Sequence, residues 1–226
     1  MSLTETNDAR NECRANDEHE LEMLPQWAFE IIRPGLRTIS SALWRMKFRG
    51  TENIPRAGGL VIAANHQTYI DPFWLSIPVK RPIRYLAWSE AFKWPVAGKM
   101  MGFLGAWPLQ IERGDPTAIR RSLEWLRSDG AIVIFPEGAR GNPDGTMLRF
   151  KTGAARIALE ADVPILPVTI QGAHRVWSKS HRTPRFADVK ISYHKPYKLT
   201  LQNGEDTRQA ARRETNRLAE IISSAL

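Results

Sequence analysis

Five short apolar runs constrain this chain more than any other feature: GGLVIAAN (58–65), IRYLAW (83–88), AIVIFP (131–136), VPILPVTI (163–170) and DVKISYH (188–194). Each has strand length, and helix-like patterns separate most of them: DPFWLSIPV (71–79), residues 90–103, GDPTAIRRSLEWLRSDG (114–130), residues 151–161 and a closing stretch at 205–226. Near-continuous apolar strands alternating with helices are what a sheet buried on both faces requires. The pattern predicts an α/β fold, a mixed and mostly parallel sheet flanked by helices. Within it, residues 114–130 carry the clearest helix signals, with Asp115 to cap, Pro116 in the first position and Gly130 as a stop. In such sheets ligands sit beyond the carboxyl ends of the strands, which directs attention to the loops after Ala64 and Phe135.

The N-terminal part reads differently. Residues 1–22 hold seven acids against two arginines and show no periodicity, so they are expected to form a disordered acidic tail. Removing them from the totals of 32 basic and 24 acidic side chains leaves 30 and 17, a body of net charge +13. Such a body suits an anionic partner: a phosphorylated ligand, an anionic lipid surface or nucleic acid. Residues 23–49 form a second unit. Apolar or small residues from Leu24 to Met46 follow three-and-four spacing, Trp27 and Trp44 lie near its ends, and Arg33, Arg37, Arg45 and Lys47 fall off the stripe. That is an amphipathic helical segment suited to membrane docking or to packing on its own domain, with a kink or a break expected at Pro34. Residues 50–226 are then the α/β domain.

No apolar run approaches the roughly 20 residues needed to span a bilayer. The acidic start is unlike a secretory signal, and the single cysteine, Cys13, offers neither a disulfide framework nor a thiolate cluster. A cytoplasmic protein held peripherally on the inner face of the membrane is the expectation. No nucleic-acid motif appears, and no basic stripe interleaved with aromatics, so nucleic acid is not expected as a partner. GxSxG, GxxxxGK[ST] and HExxH patterns are missing, and His174, His181 and His194 lack nearby acids, so no metal is expected.

The segment AANHQTYIDPF (63–73) places His66 five residues before Asp71. On an unbroken helix the two would diverge by about 140°, at roughly 100° per residue, but a turn leaving a strand can bring them together. A carboxylate on Nδ1 would fix the tautomer and leave Nε2 to accept a proton. Asp-Pro is equally an ordinary helix start, with Asp71 as cap for a helix beginning at Pro72. In FPEGARG (135–141), Gly138 permits a tight turn and Arg140 offers a planar fork for phosphate oxygens; Arg113 stands just before a helix start. FPEGARG could also be a polar surface turn, and Arg113 could also form a surface salt bridge with Glu112 or Asp115.

Taken in order, a strand followed by NHQTYIDP, glycine and arginine some forty residues on, IFPEGAR, then FKTGAARIALEADVPILPV (150–168) resembles the glycerolipid acyltransferase family over residues 50–172. The resemblance implies that His66 is the base deprotonating an acceptor hydroxyl and that Asp71 orients it. It implies a substrate-binding set of Asn65, Arg113, Phe135, Pro136, Glu137, Gly138, Arg140 and Lys151, with Arg113 and the Glu137–Arg140 loop on the acceptor phosphate. It further implies acyl transfer from acyl-CoA or acyl carrier protein to a lysophospholipid, foremost 1-acyl-sn-glycerol-3-phosphate, at an anionic membrane surface, without acyl-enzyme, metal or cofactor. Ala139 and Gly141 stand where the family's EGTRS block has hydroxyl residues, and about two extra residues precede Arg113. A different acceptor, such as a lyso-amino-acid lipid or another lysophospholipid, is the alternative; a non-catalytic basic binding module is another.

Overall fold

The computed structural model describes residues 25–93, 97–110 and 115–226. The acidic stretch 1–22 and Arg113 lie outside the described residues. The first helix, α1 (Gln26–Trp44), leads into an edge strand, β1 (Lys47–Arg49). Then follow β2 (Leu60–Ala64), α2 (Asp71–Ser76), β3 (Ile83–Trp88), α3 (Ala97–Phe103) and β4 (Ala106–Leu109). The second half holds α4 (Pro116–Arg127), β5 (Ala131–Ile134), α5 (Gly153–Ala161), β6 (Ile165–Gln171), α6 (Ala173–Trp177), β7 (Lys190–Tyr193) and α7 (Thr207–Ser223).

The seven strands form one sheet in the order β1-β7-β6-β2-β5-β3-β4. Every neighbouring pair is parallel except β6 with β7, so the expected mixed, mostly parallel sheet is present. Central position explains composition. All five residues of β2 and all four of β5 are buried, because helices cover both faces. The pleat divides β2 between two cores. Leu60, Ile62 and Ala64 join Trp74 and Leu75 of α2, with Leu36 and Trp44 of α1 against them, on one face. Val61 and Ala63 join Leu123 and Leu126 of α4, Ala154 and Ile157 of α5 and Leu218 and Ile222 of α7 on the other.

The helix starts follow local chemistry. Asp115 caps α4 by accepting the Ala118 amide at 2.9 Å, and Pro116 opens the helix. Asp206 and Gln209 form a reciprocal capping box on α7. Three short elements escape sequence reading. β1 and β4 have three and four residues and lie at the two edges, where burial does not demand an apolar run; Pro108 is tolerated in β4 for the same reason. β1 also carries the sheet into residues 23–49, expected from the sequence to be a helical unit. α6 spans only five residues.

Two expectations need correction. The helix expected over 90–103 is a 3-10 turn at Ser89–Lys93 and a separate α3. Pro34 does not divide α1 into two helices: the helix runs through it. Glu30, whose carbonyl loses an amide partner there, is exposed, so water can replace the missing donor.

The approach of α4 to β2 is set at Gly59, where a Cβ would lie 2.3 Å from the Leu126 carbonyl oxygen and 2.5 Å from Val163 Cγ1. Gly59→Ala should therefore lower the unfolding free energy by about 1–3 kcal/mol in urea titration.

Candidate active site

β2 and β5 run parallel side by side, in register from Leu60 opposite Ala131 to Ala63 opposite Ile134. Their carboxyl ends therefore release the loops at 65–70 and 135–142 next to each other, at the edge where such sheets bind ligands. The first loop folds around one carboxylate. Asp71 is fully buried, and its Oδ2 accepts from the backbone amides of Gln67 (2.5 Å) and Thr68 (2.8 Å) and lies 2.9 Å from His66 Nδ1. Its Oδ1 accepts from Thr68 Oγ1 at 2.9 Å, and that hydroxyl oxygen in turn accepts from the Ile70 amide. The structure thus brings His66 and Asp71 together by a turn, not a helix.

A carboxylate held by amide donors accepts at Nδ1, so the proton of the neutral ring sits on Nδ1 and the lone pair on Nε2. Nε2 has no partner among the described residues. The imidazole stacks on Phe135 at 4.2 Å between ring centroids and keeps 18% of its side chain exposed. Asp71 is not the cap of α2, contrary to one reading of the sequence. It is the first residue of the helix, and Ile70 occupies the cap position without a side-chain bond. The carboxylate turns back over the loop because four donors there outweigh what a cap could offer.

The second loop secures the first. Glu137 is buried, and its two oxygens accept from the amides of His66 (2.8 Å) and Leu148 (2.7 Å). Burial pushes its carboxyl above the usual value, opposed by those two bonds. The Gly141 amide donates to the His66 carbonyl at 2.6 Å. His66 is thus held through its ring, its amide and its carbonyl.

Two implied substrate contacts are consumed by backbone instead. Asn65 is fully buried, donating from Nδ2 to the Ile170 carbonyl (2.9 Å) and accepting the Ile170 amide on Oδ1 (2.8 Å). It prolongs the β2–β6 ladder with a side chain. Glu137, engaged at both oxygens, is a strap and offers nothing to a phosphate. Phe135 lies against the imidazole, and buried Pro136 accepts the Lys151 amide on its carbonyl at 2.8 Å.

Of the rest of the implied set, Gly138 lies against Lys151, while Arg140 lies against Tyr69. Gly138 has φ +68, and a Cβ there would lie 2.8 Å from Lys151 Nζ, so the ammonium lies across the glycine. Arg140 stacks on Tyr69 of the histidine loop. Thr68, Tyr69 and Gly141 are absent from the sequence-derived set; Thr68 and Tyr69, as variable letters between His66 and Asp71, carry no spacing signal of their own. Gly141, one of the two departures from the family block, has a local reason: a Cβ there would sit 3.1–3.3 Å from the Thr146 carbonyl, Glu137 Oε2 and the His66 carbonyl.

This fold occurs in a solved structure. The 1-acyl-sn-glycerophosphate (LPA) acyltransferase PlsC of Thermotoga maritima matches with a TM-score of 0.70 at 23% identity, covering 95% of this chain and 86% of that one. The two proteins share one α/β architecture. A model of the family described as Acyltransferase matches residues 45–171, more than half of the sequence, and the chain belongs to that family. The chloroplastic 1-acyl-sn-glycerol-3-phosphate acyltransferase of Brassica napus is 30% identical over 159 residues, 68% of this chain and 45% of that protein. The Bacillus subtilis 1-acyl-sn-glycerol-3-phosphate acyltransferase is 30% identical over 61% of this chain and 68% of its own length. The chain spans less than half the length of the plant relative.

Glu137→Gln tests the strap. The amide group of glutamine would place a donor against a backbone donor, at His66 or at Leu148, so the variant should lose about 1–3 kcal/mol of stability in urea unfolding.

Proposed function

We propose that this protein transfers an acyl chain from an acyl thioester to the free hydroxyl of 1-acyl-sn-glycerol-3-phosphate, yielding phosphatidic acid. One observation carries the reading: His66 Nδ1 lies 2.9 Å from a buried, amide-anchored Asp71 carboxylate, which leaves Nε2 as a base in a partly open position. The names of the Brassica napus and Bacillus subtilis relatives support the acceptor.

In the proposed step, Nε2 takes the proton of the acceptor hydroxyl as its oxygen attacks the thioester carbonyl. The C–S bond breaks as the tetrahedral carbon collapses, and the thiolate leaves with the proton carried by the imidazolium. Asp71 stabilises that cation and keeps the ring oriented; it does not itself need to take a proton. The donor is acyl-CoA or acyl carrier protein. Arg140 and Lys151 supply the positive charge that faces the acceptor phosphate, and Arg113, outside the described residues, completes the proposed grip. The reaction routes no step through a metal or a cofactor.

A membrane surface is the natural source of the acceptor, and two surface features support docking there. Ile31, Ile32, Ile39 and Leu43 of α1 fall within an arc of about 120°, at roughly 100° per residue, and are exposed, Ile31 at 70%. Among the described residues no helix is long and apolar enough to cross a bilayer, so α1 would lie in the interface with this stripe inward. At the end of α1, the Trp44 indole donates to the Arg185 carbonyl at 3.0 Å. Arg185 belongs to a segment at 173–187 with four lysines and arginines, no acid and Phe186 at 81% exposure. Cations around an apolar tip suit anionic lipid.

His66→Ala should reduce thiol release from acyl-CoA in the presence of lysophosphatidic acid by about 10²–10⁴-fold while the protein stays folded. Near-normal turnover in a folded variant would remove the base mechanism. Ile31→Asp with Ile39→Asp should weaken partition onto vesicles containing phosphatidylglycerol about tenfold or more in sedimentation assays. Unchanged partition would take α1 out of the membrane contact.

A further inference from the structure

We infer that Tyr69 is a positioning residue that presents the Arg140 guanidinium to the phosphate of the acceptor. The inference rests on the acyltransferase reading above and concerns how its anionic substrate is gripped. Tyr69 sits three residues after His66, and Arg140 lies on the neighbouring loop, 71 residues further along the chain. The guanidinium carbon of Arg140 is 3.6 Å from the Tyr69 ring centroid, and Arg140 Nη2 donates to the Tyr69 hydroxyl oxygen at 2.7 Å. Two different interactions therefore act on one cation. The guanidinium lies over the ring, inclined so that Nη2 reaches the hydroxyl, and the two contacts together fix the direction of its remaining N–H groups.

Tyr69 is itself anchored. Its ring meets Trp177 of α6 edge-on at 5.5 Å, yet it remains 43% exposed. Among the described residues no carboxylate pairs with Arg140. An arginine that is stacked, bonded and free of an acidic partner is prepared for an external anion. A phosphate needs that planar N–H fork, whereas a mobile surface arginine would have to be ordered at each binding event. The geometry also joins two roles across the site. The residue that aligns the phosphate ligand shares a loop with the proposed base, so the acceptor's phosphate and hydroxyl are registered against one short piece of chain. Both the ring and the hydroxyl of Tyr69 are used, which separates it from phenylalanine at this position.

The decisive experiment measures acceptor and donor kinetics with lysophosphatidic acid and acyl-CoA for Tyr69→Phe, Tyr69→Ala, Arg140→Ala and the double variant Tyr69→Ala/Arg140→Ala. Binding of octanoyl lysophosphatidate is followed in parallel by calorimetry. Tyr69→Ala should raise acceptor KM about tenfold, with kcat and donor KM within about threefold. Tyr69→Phe, keeping the stack, should raise it only about two- to fivefold. In the Arg140→Ala background the Tyr69→Ala step should shrink below about twofold, because a positioning residue has nothing left to position. Additive KM effects, or an acceptor KM unmoved by Tyr69→Ala, would overturn the inference and leave Tyr69 as packing for Trp177. Failure of the functional reading looks different: the wild-type protein releases no thiol on addition of lysophosphatidic acid. The same variants then decide the inference through calorimetric Kd, and a wild-type protein that does not bind the lipid overturns it as well.

Discussion

One buried carboxylate organises the site. Asp71 sits at the first position of a six-residue helix and gathers two backbone amides, a hydroxyl and an imidazole onto two oxygens. A charge in that position is costly unless its lone pairs are filled, and here the filling groups are the loop itself. The loop has its shape because the carboxylate must be satisfied, and His66 has its orientation because it is one of the groups that satisfies it. α2 is in turn pinned from the sheet, where Tyr85 donates to the Pro72 carbonyl and Tyr193 to the Leu75 carbonyl. The chain runs from packed strands to a fixed helix start, from there to a filled carboxylate, and finally to an oriented ring.

The frame was readable because a sheet covered on both faces writes itself as unbroken apolar runs. β2 and β5 are such runs, and the loops that follow them were the correct place to look. Edge strands leave no comparable mark: Lys47 and Arg49 of β1 face solvent, and β4 contains a proline. Within the site, spacing could suggest that His66 and Asp71 meet, but it could not say what a polar side chain faces. Asn65 and Glu137 belong to the same motifs as His66 and Arg140, yet they serve the backbone of Ile170, Leu148 and His66 itself. A motif records which residue types are required without recording whether the requirement is chemical or architectural. Tyr69 is the opposite case, a position that no spacing rule selects and that only the stacked guanidinium makes visible.

The stack of His66 on Phe135 ties the two loops through a contact that is neither polar nor part of either carboxylate network. A flat apolar neighbour limits rotation about the ring's χ2 and shields one face of the imidazole from water. It also accounts for an aromatic residue directly after a strand whose members are aliphatic.

The close approach of Gly141 to the histidine loop limits which residues the second loop can carry. Any side chain there would press on the Thr146 carbonyl, the Glu137 carboxylate and the carbonyl of His66, all within 3.3 Å of where its Cβ would stand. Two of those three neighbours hold or belong to the histidine, so making room would shift the ring whose placement the rest of the fold secures. A serine or threonine placed at 141 thus carries its cost at the histidine. Side chains can be varied at Ala139, which faces solvent, with less disturbance of the loop than at Gly141.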